Sequence, residues 1–138
     1  MKKVLVGGVF DILHFGHIHF LREAKKHGDY LVVALESDKN VKRIKGPGRP
    51  FHNQDQRKNM LESLRFVDEV IILEDEMQDS DYRDLVNKVR PYIIAVTKGD
   101  PMFDKKKGHA KLVGAKVVQI PKIKEISTTQ IAKLVGLE

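Results

Sequence analysis

The sequence predicts an open, doubly wound α/β domain with about five parallel strands and helices on both faces. Five short β-rich runs recur along the chain, with helix-patterned stretches or loops between them. One of them, YLVVAL at 30–35, is apolar throughout, as in a strand buried on both faces. Parallel neighbours require right-handed crossovers, and ligands of such sheets bind beyond the carboxyl ends of the strands where the strand order reverses.

In order, Lys3 to Val6 reads as the first strand, and Ile18 to His27 as a helix closed by Gly28. Tyr30 to Leu35 is the second strand. A helix over Gln54 to Leu64 sets Met60, Leu61 and Leu64 on one side, and Val67 to Leu73 returns as a strand. Tyr82 to Val89 is helical and stops before Arg90-Pro91, because the residue before proline disfavours helix. Tyr92 to Val96 and Lys116 to Ile120 are further strands, and Thr128 to Val135 is a last helix capped by Ser127 or Thr128. The irregular stretches 45–53, 74–80 and 97–108 are expected loops.

With 138 residues and 41% hydrophobic content, one domain over 1–138 is expected. No apolar run approaches the roughly 20 residues of a membrane span. MKKVLVGG runs into glycine and Asp11 instead of a signal-peptide core, so a cytoplasmic protein without membrane partners is expected. The absence of cysteine excludes disulfides, thiolate metal sites and a cysteine nucleophile. The formal charge of +6 is concentrated in KRIKGPGR (42–49), DKKKGHAK (104–111) and Lys122/Lys124, without interleaved aromatics. That distribution suits convergence on one polyphosphate better than nucleic-acid binding, although the lysine run 105–107 alone reads as solvated surface.

The stretch GGVFDILHFGHIHF (7–20) concentrates the chemistry. Gly7 and Gly8 follow the first strand, where a missing side chain lets backbone N–H groups approach a ligand. His14 and His17 straddle Gly16 near the start of the first helix, where two imidazoles and unpaired N–H groups can face one anion. A zinc site is the competing reading, but the neighbourhood supplies no third ligand. His19 points to another helix face and reads as ordinary surface.

GVFDILHFGH resembles the HxGH signature of the small nucleotidyltransferases, the superfamily that includes cytidylyltransferases and adenylyltransferases. ISTT at 126–129 and QRxxML around Arg57 match further elements of that family in the same order, so the resemblance covers essentially the whole chain. It implies a Rossmann-like nucleotidyltransferase fold and direct attack of a substrate phosphate on the α-phosphorus of a nucleoside triphosphate, without a covalent enzyme intermediate. Such chemistry needs alignment and positive charge.

The resemblance carries His14, His17 and Lys45 over as catalytic residues, the histidines donating to the triphosphate. Gly8, Val9, Phe10, Asp11 and Gly16 would line the nucleotide site, with Asp11 orienting a donor or holding magnesium. Ile126, Ser127, Thr128 and Thr129 would hold the β and γ phosphates, and Lys98, Gly99 and Asp100 would approach nucleobase and ribose. Lys45 and Arg57 would meet the triphosphate or the acceptor phosphate, with Asp38 also on the acceptor side. Val9 stands where threonine is frequent and Ile131 where a longer form of the motif has arginine; Lys122 is a candidate replacement cation. Magnesium or another divalent ion is expected, mainly through the triphosphate, and small members of the family are usually homodimers.

ESDKNVKRIKGPGRPFHNQDQR (36–57) is similar to a stretch of the heptose 1-phosphate adenylyltransferases, and TKGDP to another segment of that group. GHIHFL and ISTTQI look as much like glycerol-3-phosphate cytidylyltransferase, and the short stand-alone form is typical of archaeal FAD synthetases. The expectation is AMP transfer from ATP to a sugar 1-phosphate or similar acceptor. The alternatives are CMP transfer to glycerol 3-phosphate, FAD synthesis from FMN and ATP, and a nucleotide-binding module without turnover.

Overall fold

The computed structural model describes residues 1–123 and 128–134. In chain order the elements are β1 (Lys3–Gly8), α1 (Phe15–Lys25), β2 (Tyr30–Leu35), α2 (Asp38–Lys45), α3 (Gln54–Glu62), β3 (Glu69–Ile72), α4 (Asp79–Val89), β4 (Ile93–Thr97), α5 (Phe103–Leu112), β5 (Lys116–Ile120) and α6 (Thr128–Leu134). All five strands pair in parallel in the order β3-β2-β1-β4-β5. The order reverses between β1 and β4, so a crevice at their carboxyl ends is built into the topology.

Strand alternation divides the apolar residues between two layers. Val4 and Val6 of β1, with Leu31, Val33 and Leu35 of β2, pack with Leu21 and Ala24 of α1 and Leu61 of α3. Leu5, Val32, Ala34, Ile94 and Val96 pack on the other face with Val86 and Val89 of α4 and Ala110 of α5. The expected fold, with helices on both faces of a parallel sheet, is the observed one.

The differences lie at the polar helices. α1 begins at Phe15, three residues before the expected Ile18, because His14 caps it. α2 was not expected: Val41 is its only buried residue, but the Ser37 side chain accepts from Asn40 N at 3.1 Å and caps it. α5 fills half of the expected loop 97–108, contributing Ala110 to the core. α4 begins at Asp79 instead of Tyr82, with the Asp81 carboxylate accepting from Gln78 N at 2.8 Å.

Gly28, which follows α1, lies where a Cβ would stand 2.3 Å from the Lys2 carbonyl oxygen and 2.8 Å from a Val4 methyl. Backbone cannot yield as a flexible side chain can, so Gly28→Ala is expected to cost about 1–3 kcal/mol of stability. Urea unfolding of the variant against the parent checks this.

Candidate active site

A cavity of about 450 Å³ occupies the crevice between β1 and β4. Gly7 to Asp11 form its floor, His14, Gly16 and His17 one wall, and Ala95 to Thr97 with Asp100 the opposite wall. Lys45, Arg49 and Lys122 add cationic side chains at its margin. The expected residues Gly8, Val9, Phe10, Asp11, His14, Gly16, His17, Lys45, Asp100 and Lys122 therefore line one cavity, and His19, read as surface, joins them.

The histidines are arranged as a pair, their ring centroids 4.0 Å apart and their planes tilted by 31°. The His14 Nδ1 accepts from Gly16 N at 3.1 Å, closing the N-terminus of α1. A ring that accepts at Nδ1 while neutral carries its proton on Nε2, so the cap fixes the tautomer. Burial, followed by the neighbouring His14, pushes the His17 pKa down to about 4, so His17 is neutral near pH 7. Its Nδ1 is buried without a hydrogen-bond partner among the described residues. The edge of Phe10 supports the His17 ring at a centroid distance of 5.4 Å. A Cβ on Gly8 would stand 2.8 Å from that Phe10 ring, so Gly8 makes room for the side chain that backs His17.

Asp11 is buried, and its carboxylate accepts from Arg49 Nε at 3.0 Å, Phe51 N at 2.7 Å and His52 N at 3.0 Å. Burial alone would push its carboxyl up, but the two amides and the guanidinium outweigh that and hold it below the usual carboxylate range. Of the two expected roles, these bonds fit the orienting of a donor, Arg49, rather than magnesium binding.

Arg57 departs from its expected place. It is fully buried, absent from the cavity wall, and donates to Val9 O at 2.8 Å, His52 O at 3.0 Å and Asp38 Oδ1 at 2.7 Å. Its guanidinium ties the exit of β1, the start of α2 and the approach to α3 together behind the site, and Asp38 serves as its partner outside the cavity. Lys98 and Gly99 are likewise absent from the wall. Ile126 and Ser127 lie outside the described residues; Thr128 and Thr129 open α6. Sequence reasoning missed Arg49, which sits in the quoted loop without being singled out. It also missed Lys106, hidden within a lysine run.

A second cavity of about 230 Å³ lies on the α4 and α5 side of β1. Its wall is largely aliphatic, with Ile44, Leu73, Leu85 and Val86, and its polar groups include Glu36, Tyr82 and His109. The Tyr82 phenol is pushed above its ordinary pKa by burial and by the adjacent Glu36. His109 Nε2 stands 2.9 Å from Asp79 Oδ1.

The family model for cytidylyltransferase-like proteins matches residues 5–134. The bifunctional protein HldE of Campylobacter fetus is 41% identical over 132 residues, covering 93% of this chain and 26% of that protein. The FAD synthase of Thermococcus sibiricus is 39% identical over 137 residues, covering 96% of this chain and 89% of that protein. A lipopolysaccharide core biosynthesis protein from Thermoplasma volcanium has a solved structure with a TM-score of 0.73 at 30% identity, covering 91% of this chain and 98% of that one. The chain spans about a fifth to a quarter of the length of the HldE proteins it matches.

Two outcomes follow from this geometry. Arg57→Met is expected to cost about 2–4 kcal/mol, because it strands the Val9 and His52 carbonyls around a buried gap, whereas the half-exposed Asp38 carboxylate can turn to water; urea unfolding measures it. With His17 near 4 in the folded chain and near 6.5 unfolded, only the unfolded chain takes up this proton between those values. The His17 contribution is therefore intact above pH 6.5 and lost as the pH falls toward 4, by about 2–3 kcal/mol. His17→Asn should flatten that part of the stability profile.

Proposed function

Since the chain belongs to the cytidylyltransferase-like family, we propose that it transfers AMP from ATP to the phosphate of a small-molecule acceptor. An acceptor phosphate oxygen attacks the α-phosphorus, the α–β anhydride bond breaks, and pyrophosphate leaves. The single observation that carries this reading is the pair of stacked imidazoles at the β1–β4 crevice, one with its tautomer set by a helix cap and the other neutral through burial. An imidazole that turns an N–H toward an anion is a donor for developing charge, and a capped Nδ1 is not a nucleophile.

Lys45 and Lys122 add charge at the cavity margin, and Asp11 acts through Arg49. Thr128 and Thr129, with Ser127 and Ile126 before them, complete the reading as holders of the β and γ phosphates. Among the described residues no three metal-ligating side chains gather at one point. The metal that fits is Mg²⁺ carried in on the triphosphate oxygens, where it would neutralise phosphate charge. Homodimer assembly and a cytoplasmic setting belong to the same reading.

The acceptor suggested by the 36–57 segment, through its resemblance to the heptose 1-phosphate adenylyltransferases, is a sugar 1-phosphate. A second reading, FMN as acceptor, is favoured by the aliphatic second cavity and by the FAD synthase relative, nine-tenths of whose length the chain covers. Pyrophosphate release with ATP and with CTP, each against heptose 1-phosphate, glycerol 3-phosphate and FMN, tests the proposal. Turnover is expected with ATP and one phosphorylated acceptor. Bound ATP with silence across the panel would contradict it. His17→Ala is expected to lower kcat by about 100-fold or more with little change in melting temperature, since it removes a transition-state donor and a buried unsatisfied nitrogen together. Retained activity would contradict the role given to His17.

A further inference from the structure

Among the described residues, five line both cavities: Gly7, Gly8, Val9, Ala95 and Lys106. Lys106 is the only charged one. Its neighbours Lys105 and Lys107 are exposed, whereas Lys106 turns inward and is about one-third exposed. Its Nζ stands 2.6 Å from Asp100 Oδ2, and Met102 N donates to the other Asp100 oxygen at 2.8 Å. The turn after β4 thus holds the ammonium at the junction of the cavities. An ammonium has three donors, and Asp100 uses one.

Resting on the adenylyl-transfer reading, we propose that Lys106 anchors the phosphate monoester of the acceptor at this junction, with the rest of the acceptor in the second cavity. The charges around that cavity set the orientation. Glu36 would repel a phosphate placed deeper inside, the Tyr82 hydroxyl is engaged by Glu36 and His109 by Asp79, and the aliphatic side chains offer a phosphate no donors. The phosphate end must therefore face the first cavity, where it meets Lys106. The attacking phosphate also approaches an anionic triphosphate, and a cation between them offsets like-charge repulsion.

The test uses the full chain and the variants Lys106→Met, Lys106→Arg and, as a charge control, Lys105→Met. Pyrophosphate release is followed with ATP against FMN and against heptose 1-phosphate, and equilibrium binding of both acceptors is measured in parallel by calorimetry. Lys106→Met is expected to raise the KM and Kd of the working acceptor about tenfold or more while the KM for ATP changes less than twofold. Lys106→Arg should restore part of the loss, and Lys105→Met should match the parent. The acceptor that responds tells a flavin phosphate from a sugar phosphate. If the parent shows no turnover but binds one acceptor in a Lys106-dependent way, the anchor stands and the adenylyl-transfer reading fails. An unchanged acceptor Kd in Lys106→Met, an equal rise for ATP, or no binding of either acceptor by the parent would overturn the anchor.

Discussion

The carboxylate of Asp11 is the group around which the site is assembled. It is buried at the point where β1 leaves the sheet, and a buried charge is tolerated only when paired and fully hydrogen-bonded. Arg49 and the amides of residues 51 and 52 meet that requirement, which pins the 49–52 segment against the strand exit. Arg57 closes the same arrangement from behind, bonding the carbonyls of Val9 and His52 and the carboxylate of Asp38. Two guanidinium–carboxylate pairs thus join β1's exit, the start of α2 and the start of α3 into one rigid frame.

That frame bears on the histidines through the backbone. Phe10 and Ile12 both adopt positive φ, 48° and 52°, a conformation that costs bulky residues energy and persists only where the surroundings impose it. The contorted exit turns the Phe10 ring inward beneath His17, in space that Gly8 leaves open. The chain then enters α1 with His14 at its cap. The imidazoles are consequently held by a strained loop, a helix terminus and a core aromatic, so they can meet a ligand with little reorganisation. Such preorganisation is what electrostatic stabilisation of developing charge requires.

Much of the fold was legible because it rests on strand hydrophobicity. Five apolar runs in alternation with helical stretches are enough to specify a covered parallel sheet, and Lys116–Ile120 even has the predicted bounds. Polar elements were less legible. α2 buries one residue of eight and α5 is rich in lysine, so neither shows a strong apolar stripe. The early start of α1 escaped because histidine is an uncommon cap. Within the site, the glycine and histidine cluster was readable because its members are close in sequence. The placement of Arg49 and Arg57 was not, since both are buried and only tertiary packing decides which one pairs with Asp11 at the cavity and which one is sealed behind it. Ser37, three residues before Asn40, was a visible cap signal for α2.

The central claim is that the histidines bind and stabilise while the two substrates react directly with one another. The stereochemical course at phosphorus tests this most directly, using ATP made chiral at the α-phosphorus with sulfur and analysing the product's configuration. One in-line displacement predicts inversion. Retention would require two displacements, and hence a nucleotidyl-enzyme intermediate, contradicting the account of His14 and His17 as hydrogen-bond donors.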